Sequence, residues 1–120
     1  MGPDEGGIEH HILVLRLGPV VRKGDPDWTD VVRWVLFALV NAEEEGHSQA
    51  QFAKSKPSLG AIPPLSARLP ADWYDKVVSL VGNYSEIFER NLGKETPLGI
   101  ERGANALWTQ GGLLYAPPLR

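Results

Sequence analysis

No cysteine occurs among the 120 residues. A disulfide framework and a thiolate metal site are therefore excluded, and the redox compartment stays open, because a cysteine-free chain suits either. Positive charge is also short: 12 Lys and Arg against 15 Asp and Glu give a net charge of −3. That balance carries no electrostatic footprint for nucleic acid or an anionic membrane, and neither partner is expected. Long apolar runs are missing as well. The longest, Trp34 to Val40, spans seven residues, where a membrane span needs about 18 or more. The opening "MGPDEGGIEHH" has neither the cationic nor the apolar region of a secretory signal. The expectation is a chain without membrane insertion and without an export signal of its own.

Catalytic motifs are equally scarce. There is no G-x-S-x-G and no G-x-x-x-x-G-K, the contexts that expose a nucleophile or cradle a phosphate. His10 and His11 are adjacent, and neighbours on a strand point to opposite faces, which does not favour chelation of one ion. His47 follows a helix end and reads as a solvated loop residue. Glu86 and Glu89 stand three apart and could pair as carboxylates, but a solvated face near Arg90 and Arg102 is the better reading. "NYS" at Asn83–Ser85 matches a glycosylation sequon inside a predicted helix, so it reads as a chance match. No catalytic, cofactor-binding or metal residue is nominated, no cofactor is expected, the ligand-binding residues are unknown, and no enzyme is expected.

What the sequence does hold is a globular composition, 42% hydrophobic and 22% charged, over a length that fits one domain, residues 1–120. "HILVLRLGPVVRKGD" suggests two short strands, Ile12–Leu17 and Pro19–Arg22, separated by Gly18-Pro19. Asp25 and Pro26 then give an N-cap and a first helical position, and a continuous helix is expected over Asp25–Glu45. Trp28, Val31, Val32, Val35, Leu36 and Leu39 fall on one helical stripe. Trp34 and Phe37 lie off that stripe, and this makes them the candidate interaction surface. A Pro-rich connector of little regular structure is expected over 47–70, where "PP" at Pro63-Pro64 bars a helix. A second helix is predicted from about Pro70 or Ala71 to Asn91, kinked or split at Gly82-Asn83. A third is predicted after Thr96-Pro97, with Ile100, Ala104, Leu107 and Trp108 at helical spacing and Gly99 and Gly103 allowing a close backbone approach. The fold class is α+β, mainly helical with a short N-terminal β element.

Three stretches, "LGPVVRKGDPDWTDVVRWVLFALVNAEEEG", "VGNYSEIFERNLG" and "PLGIERGANALWTQGGLLYAPPLR", resemble in the same order the C-terminal third of the periplasmic solute-binding proteins for general L-amino acids, which serve polar-amino-acid ABC transporters. The resemblance implies a two-lobed α/β parent with a ligand cleft between its lobes. Gly18–Lys23 would be the strand returning across the hinge, and Asp25–Gly46 a helix of lobe 1 with neighbours on several sides. The groups that hold the ligand's ammonium and most of those that hold its carboxylate would lie in parts not matched here, so no ligand-binding residue is carried over. For the full-length family the implied partners are an L-amino acid and an ABC permease, and the implied place is the periplasm. Two readings follow: a truncated relative without a complete ligand site, and an independent small protein that reuses the scaffold to bind a partner or itself as a homo-oligomer.

Overall fold

The structure, a computed structural model, describes residues 18–54 and 69–119. The strand expected over Ile12–Leu17, the pair His10-His11 and residues 55–68 of the connector lie outside them.

The long helix forms as expected: α1 is Pro26–Glu44. Asp25 Oδ1 accepts from the Trp28 N–H at 3.1 Å, satisfying a donor that the first turn leaves free. At the other end Gly46 adopts a φ of 75°, which glycine reaches without a Cβ clash. The Gly46 N–H donates to Glu43 O at 3.1 Å, and the His47 N–H donates to Ala42 O at 2.8 Å. These are the two bonds of a Schellman termination, and they fix the direction in which the chain leaves α1.

The connector is a helix where it begins. Gln49–Lys54 forms α2, against the expectation of little regular structure. Ser48 starts it: its Oγ accepts from the Gln51 N–H at 3.2 Å, and buried Phe52 anchors it to the core. The predicted second helix is split where its Gly-Asn pair stands. Trp73–Val81 forms α3 and Tyr84–Asn91 forms α4. Gly82 has a φ of 81°, so the chain turns there in a conformation other residues avoid. Asn83 then restarts the helix with a reciprocal cap: Glu86 N–H donates to Asn83 Oδ1 at 2.9 Å, and Asn83 N–H donates to Glu86 Oε1 at 3.2 Å.

Two other expectations fail. Pro19–Arg22 is not a strand; no strand among the described residues offers it a ladder, and Val20 stands 93% exposed. The helix after Thr96 does not form either. Gly99 and Gly103 sit at φ values of 55° and 51°, outside the right-handed helical region, and an added Cβ at either would meet open space, not a close backbone. Two single 3-10 turns, Gly103–Asn105 and Trp108–Gln110, take its place. Among the described residues the sole β contact is an isolated parallel bridge between Leu107 and Leu114. The described chain is mainly helical, and none of its helices is long and apolar enough to cross a membrane.

The helices enclose two small cores. Ala38, Ala42, Phe52, Trp73, Tyr74 and Val78 form the first, with Trp34, Val35, Leu69, Val77 and Leu119 packed against it. Val40, Leu107 and Ala116 form the second, flanked by Phe37, Tyr84 and Leu114. Of the apolar stripe read from the sequence, Val35 alone belongs to either group. The inner face of α1 is instead the one carrying Ala38 and Ala42, both fully buried. Two alanines one turn apart allow close helix packing.

Candidate functional site

The polar side chains of the interior meet where α1, α2, α3 and α4 converge. The Schellman turn carries His47 into the protein, not into solvent, and corrects its reading as a loop residue: it is 9% exposed. Its Nδ1 lies 2.9 Å from the Tyr74 hydroxyl, and its ring stands edge-on to Phe52 and Tyr74. Its Nε2 faces a Glu45 carboxylate oxygen at 3.6 Å. Asn83 Nδ2 donates to the His47 carbonyl at 2.9 Å. Glu86 Oε1, besides capping α4, accepts from the Gln49 N–H at 3.0 Å, and Gln49 Nε2 reaches back to Leu80 O at 2.9 Å. Each of these groups bonds to a neighbouring helix, so the cluster ties four helix ends together. It presents no nucleophile set beside a base.

A second polar group lies under the C-terminal segment. Arg102 holds Glu43 with two parallel bonds, Nη1 to Oε1 at 2.6 Å and Nη2 to Oε2 at 2.9 Å. Both side chains are nearly buried, 14% and 8% exposed. The Arg102 guanidinium also bonds Asn105 O at 2.9 Å and sits 5.5 and 5.4 Å from the Tyr84 and Phe88 ring centres, a favourable cation–π position. This accounts for an acidic residue at the C-terminal end of α1, where the helix dipole disfavours negative charge. Further along, Asn41 Nδ2 donates to the carbonyls of Phe37 and Pro117, both at 2.9 Å, which clamps the tail to α1.

The residues singled out in the sequence are not gathered into one site. Glu86 and Glu89 do not pair; Glu89 Oε2 accepts from the Lys94 N–H at 2.9 Å. Arg102 belongs to Glu43, and Arg90 donates to Val81 O at 2.9 Å. Asn83 is buried with both ends of its amide engaged, so the sequon is structural. Trp34 and Phe37 are half-buried, stacked edge-on at 5.4 Å, one against each core. Of the stripe beside them Trp28 is 54% exposed, whereas Val31, Val32 and Leu36 are partly buried, and two hollows border it. One hollow of about 210 Å³ is lined by Pro19, Val21, Thr29, Val32, Arg33 and Leu36. A second of about 300 Å³ is lined by Asp27, Trp28, Val31 and Leu69. The Asn83-x-x-Glu86 cap was readable from its spacing. The Glu43–Arg102 pair, 59 residues apart, had no local signal.

Among the described residues every buried side-chain nitrogen and oxygen has a hydrogen-bond partner, and no group of three or more His, Asp or Glu could hold a metal ion.

No family model matches the chain, but individual proteins do. The general L-amino acid-binding periplasmic protein AapJ of Rhizobium johnstonii is 46% identical over 131 residues, which covers 98% of this chain and 38% of that protein. The glutamate/glutamine/aspartate/asparagine-binding protein BztA of Rhodobacter capsulatus is 44% identical over 115 residues, 87% of this chain and 34% of its own length. Among solved structures, an ABC-transporter periplasmic binding protein from Brucella ovis with glutathione bound superposes with a TM-score of 0.71 and 46% identity, over 83% of this chain and 35% of that one. The chain thus spans a little over a third of the length of the relatives it matches.

Proposed function

The chain belongs with the periplasmic binding proteins of amino-acid ABC transporters over about a third of their length, and from that premise we propose that it is a scaffold portion of such a protein, without a complete ligand site of its own. The observation that carries this reading is the combination of close identity along nearly all of this chain with coverage of only about a third of each relative. Those relatives bind and hand over solutes; they are not enzymes. The polar interior supports the reading too, because its side chains are spent on joining helices.

The parent protein's role would be to hold an L-amino acid in the periplasm and deliver it to an ABC permease. The ligands named for the relatives share one head group. Glutamate, glutamine, aspartate and asparagine each carry an α-ammonium and an α-carboxylate, and the glutamyl end of glutathione carries the same pair. A cleft that takes this head group must offer a partner to each charge, since burying either unpaired costs several kcal/mol. The described part of this chain holds its buried carboxylate, Glu43, and its buried guanidinium, Arg102, against each other, so neither is free for a ligand.

Calorimetric titration of the purified chain with glutamate, glutamine, aspartate, asparagine and glutathione tests this. No saturable heat is expected for any of them. A dissociation constant in the low micromolar range or below for one would overturn the proposal.

A further inference from the structure

We propose that the face of α1 bearing Trp34, Phe37 and Asn41 is a receptor for proline-rich peptide. Residues 115–119 are its built-in occupant, and an extended segment of the same chemistry from another protein chain takes their place when they leave.

Trp34 and Phe37 are the interaction surface expected from the sequence. Their spacing along α1 puts them on one side of the helix with Ala38 and Asn41. The C-terminal segment lies against this side. Ala116 is 2% exposed and joins Val40 and Leu107, with Phe37 and Tyr84 packed alongside. Leu119 packs against the other core, as Trp34 does. Between these two anchors the Pro117 carbonyl accepts from Asn41 Nδ2 at 2.9 Å. A second bond from the same nitrogen, to Phe37 O at 2.9 Å, holds the amide in position for it.

The attachment is that of a bound peptide. Among the described residues no backbone-to-backbone hydrogen bond involves residues 115–119. Just before them Leu113 and Leu114 donate to Ala104 O and Ala106 O at 2.8 and 3.0 Å, so the tie to the rest of the backbone stops at Leu114. Pro117 and Pro118 have no N–H to give, and each holds the residue before it to extended backbone. A segment of this kind is stiff before it binds and loses little freedom on binding. Extended proline-rich segments docked on aromatic side chains are a recurring mode of peptide recognition. Ala116 sets the selectivity, because its methyl sits in a core of Val40 and Leu107 that a larger side chain would overpack. The occupant therefore reads small residue, proline, proline, aliphatic residue.

Two variants vacate the site: Ala116→Glu in the full chain, and a chain ending at Tyr115. The probe is a fluorescein-labelled peptide of the sequence "YAPPLR", followed by anisotropy. Saturable binding to both variants is expected, about tenfold or more tighter than to the parent, where the resident segment competes for the site. Adding Asn41→Ala to Ala116→Glu should weaken the peptide roughly fivefold, the loss of one hydrogen bond. A peptide carrying the Ala116→Glu change should bind neither variant. Equal affinity for the parent and the vacated variants would overturn the proposal, and so would equal binding of the two peptides or no binding to folded variants. Where neither variant unfolds cooperatively in urea, the "YAPPLR" peptide is expected to restore a cooperative transition in trans. Failure to restore it would make residues 115–119 an inseparable part of the core and sink the proposal.

Discussion

Along α1, one face carries Trp34, Ala38 and Ala42 and meets Phe52, Trp73 and Val78. The other carries Trp28, Val31, Val32 and Leu36 and meets two hollows. The second face has the larger side chains and the cleaner helical period, and by sequence alone it is the better candidate for the core. The difference teaches what periodicity measures. A hydrophobic stripe says that a face is buried somewhere; it does not say by which polypeptide. Small residues mark the contact made within this chain. Ala38 and Ala42 let α3 approach closely, and the bulk of that core comes from the partners Phe52, Trp73, Tyr74 and Val78.

The contrast is sharpest in the cost of removing a large side chain from each side. Phe52→Ala empties the inner core and should cost about 3–5 kcal/mol. Leu36→Ala, at a partly buried position beside a hollow, should cost less, about 1–2 kcal/mol. Urea unfolding of the two variants makes the comparison. Similar losses would mean that the outer face is also filled by this chain.

Next in size is the pair that secures the C-terminal segment. Arg102→Ala strands a nearly buried Glu43 carboxylate and should cost roughly 3 kcal/mol. Arg102→Lys should recover only part of that, because an ammonium cannot match the two parallel bonds of the guanidinium. Equal stability of the Lys variant and the parent in urea would show that the bidentate geometry contributes nothing. The smallest effect is at the start of α1. Asp25→Ala removes the cap on the Trp28 N–H and should lower stability by about 1 kcal/mol. An unchanged unfolding midpoint would remove Asp25 from the account.

How far the sequence spoke depends on how local the physics was. The start of α1 at Asp25-Pro26 and the break at Gly82-Asn83 were legible, because a cap and a glycine act within a few residues. The helix Gln49–Lys54 was hidden by the prolines that follow it, and the Ser48 hydroxyl that accepts from its first turn was not read as a cap. Gly99 and Gly103 were read for the space they leave, whereas their positive φ values stop the helix predicted there. His47 was missed because its burial comes from the Schellman turn and from Tyr74, 27 residues away. Glu43 stands against the helix dipole, and the charge that compensates it, Arg102, is 59 residues away and left no local signal. Of the expected β element, Pro19–Arg22 needed a neighbouring strand that the described residues do not provide.

The central claim is that α1 packs within the described chain through the face of Ala38 and Ala42, while Leu36 lies on the side that borders the hollows. It is tested most directly by placing the only thiol of the chain at Ala38 or at Leu36 and comparing maleimide labelling under native conditions. The account predicts that the Leu36→Cys thiol, beside an open hollow, reacts more than about a hundredfold faster than the Ala38→Cys thiol, which is reached only by opening of the core. Comparable rates at the two positions would contradict it.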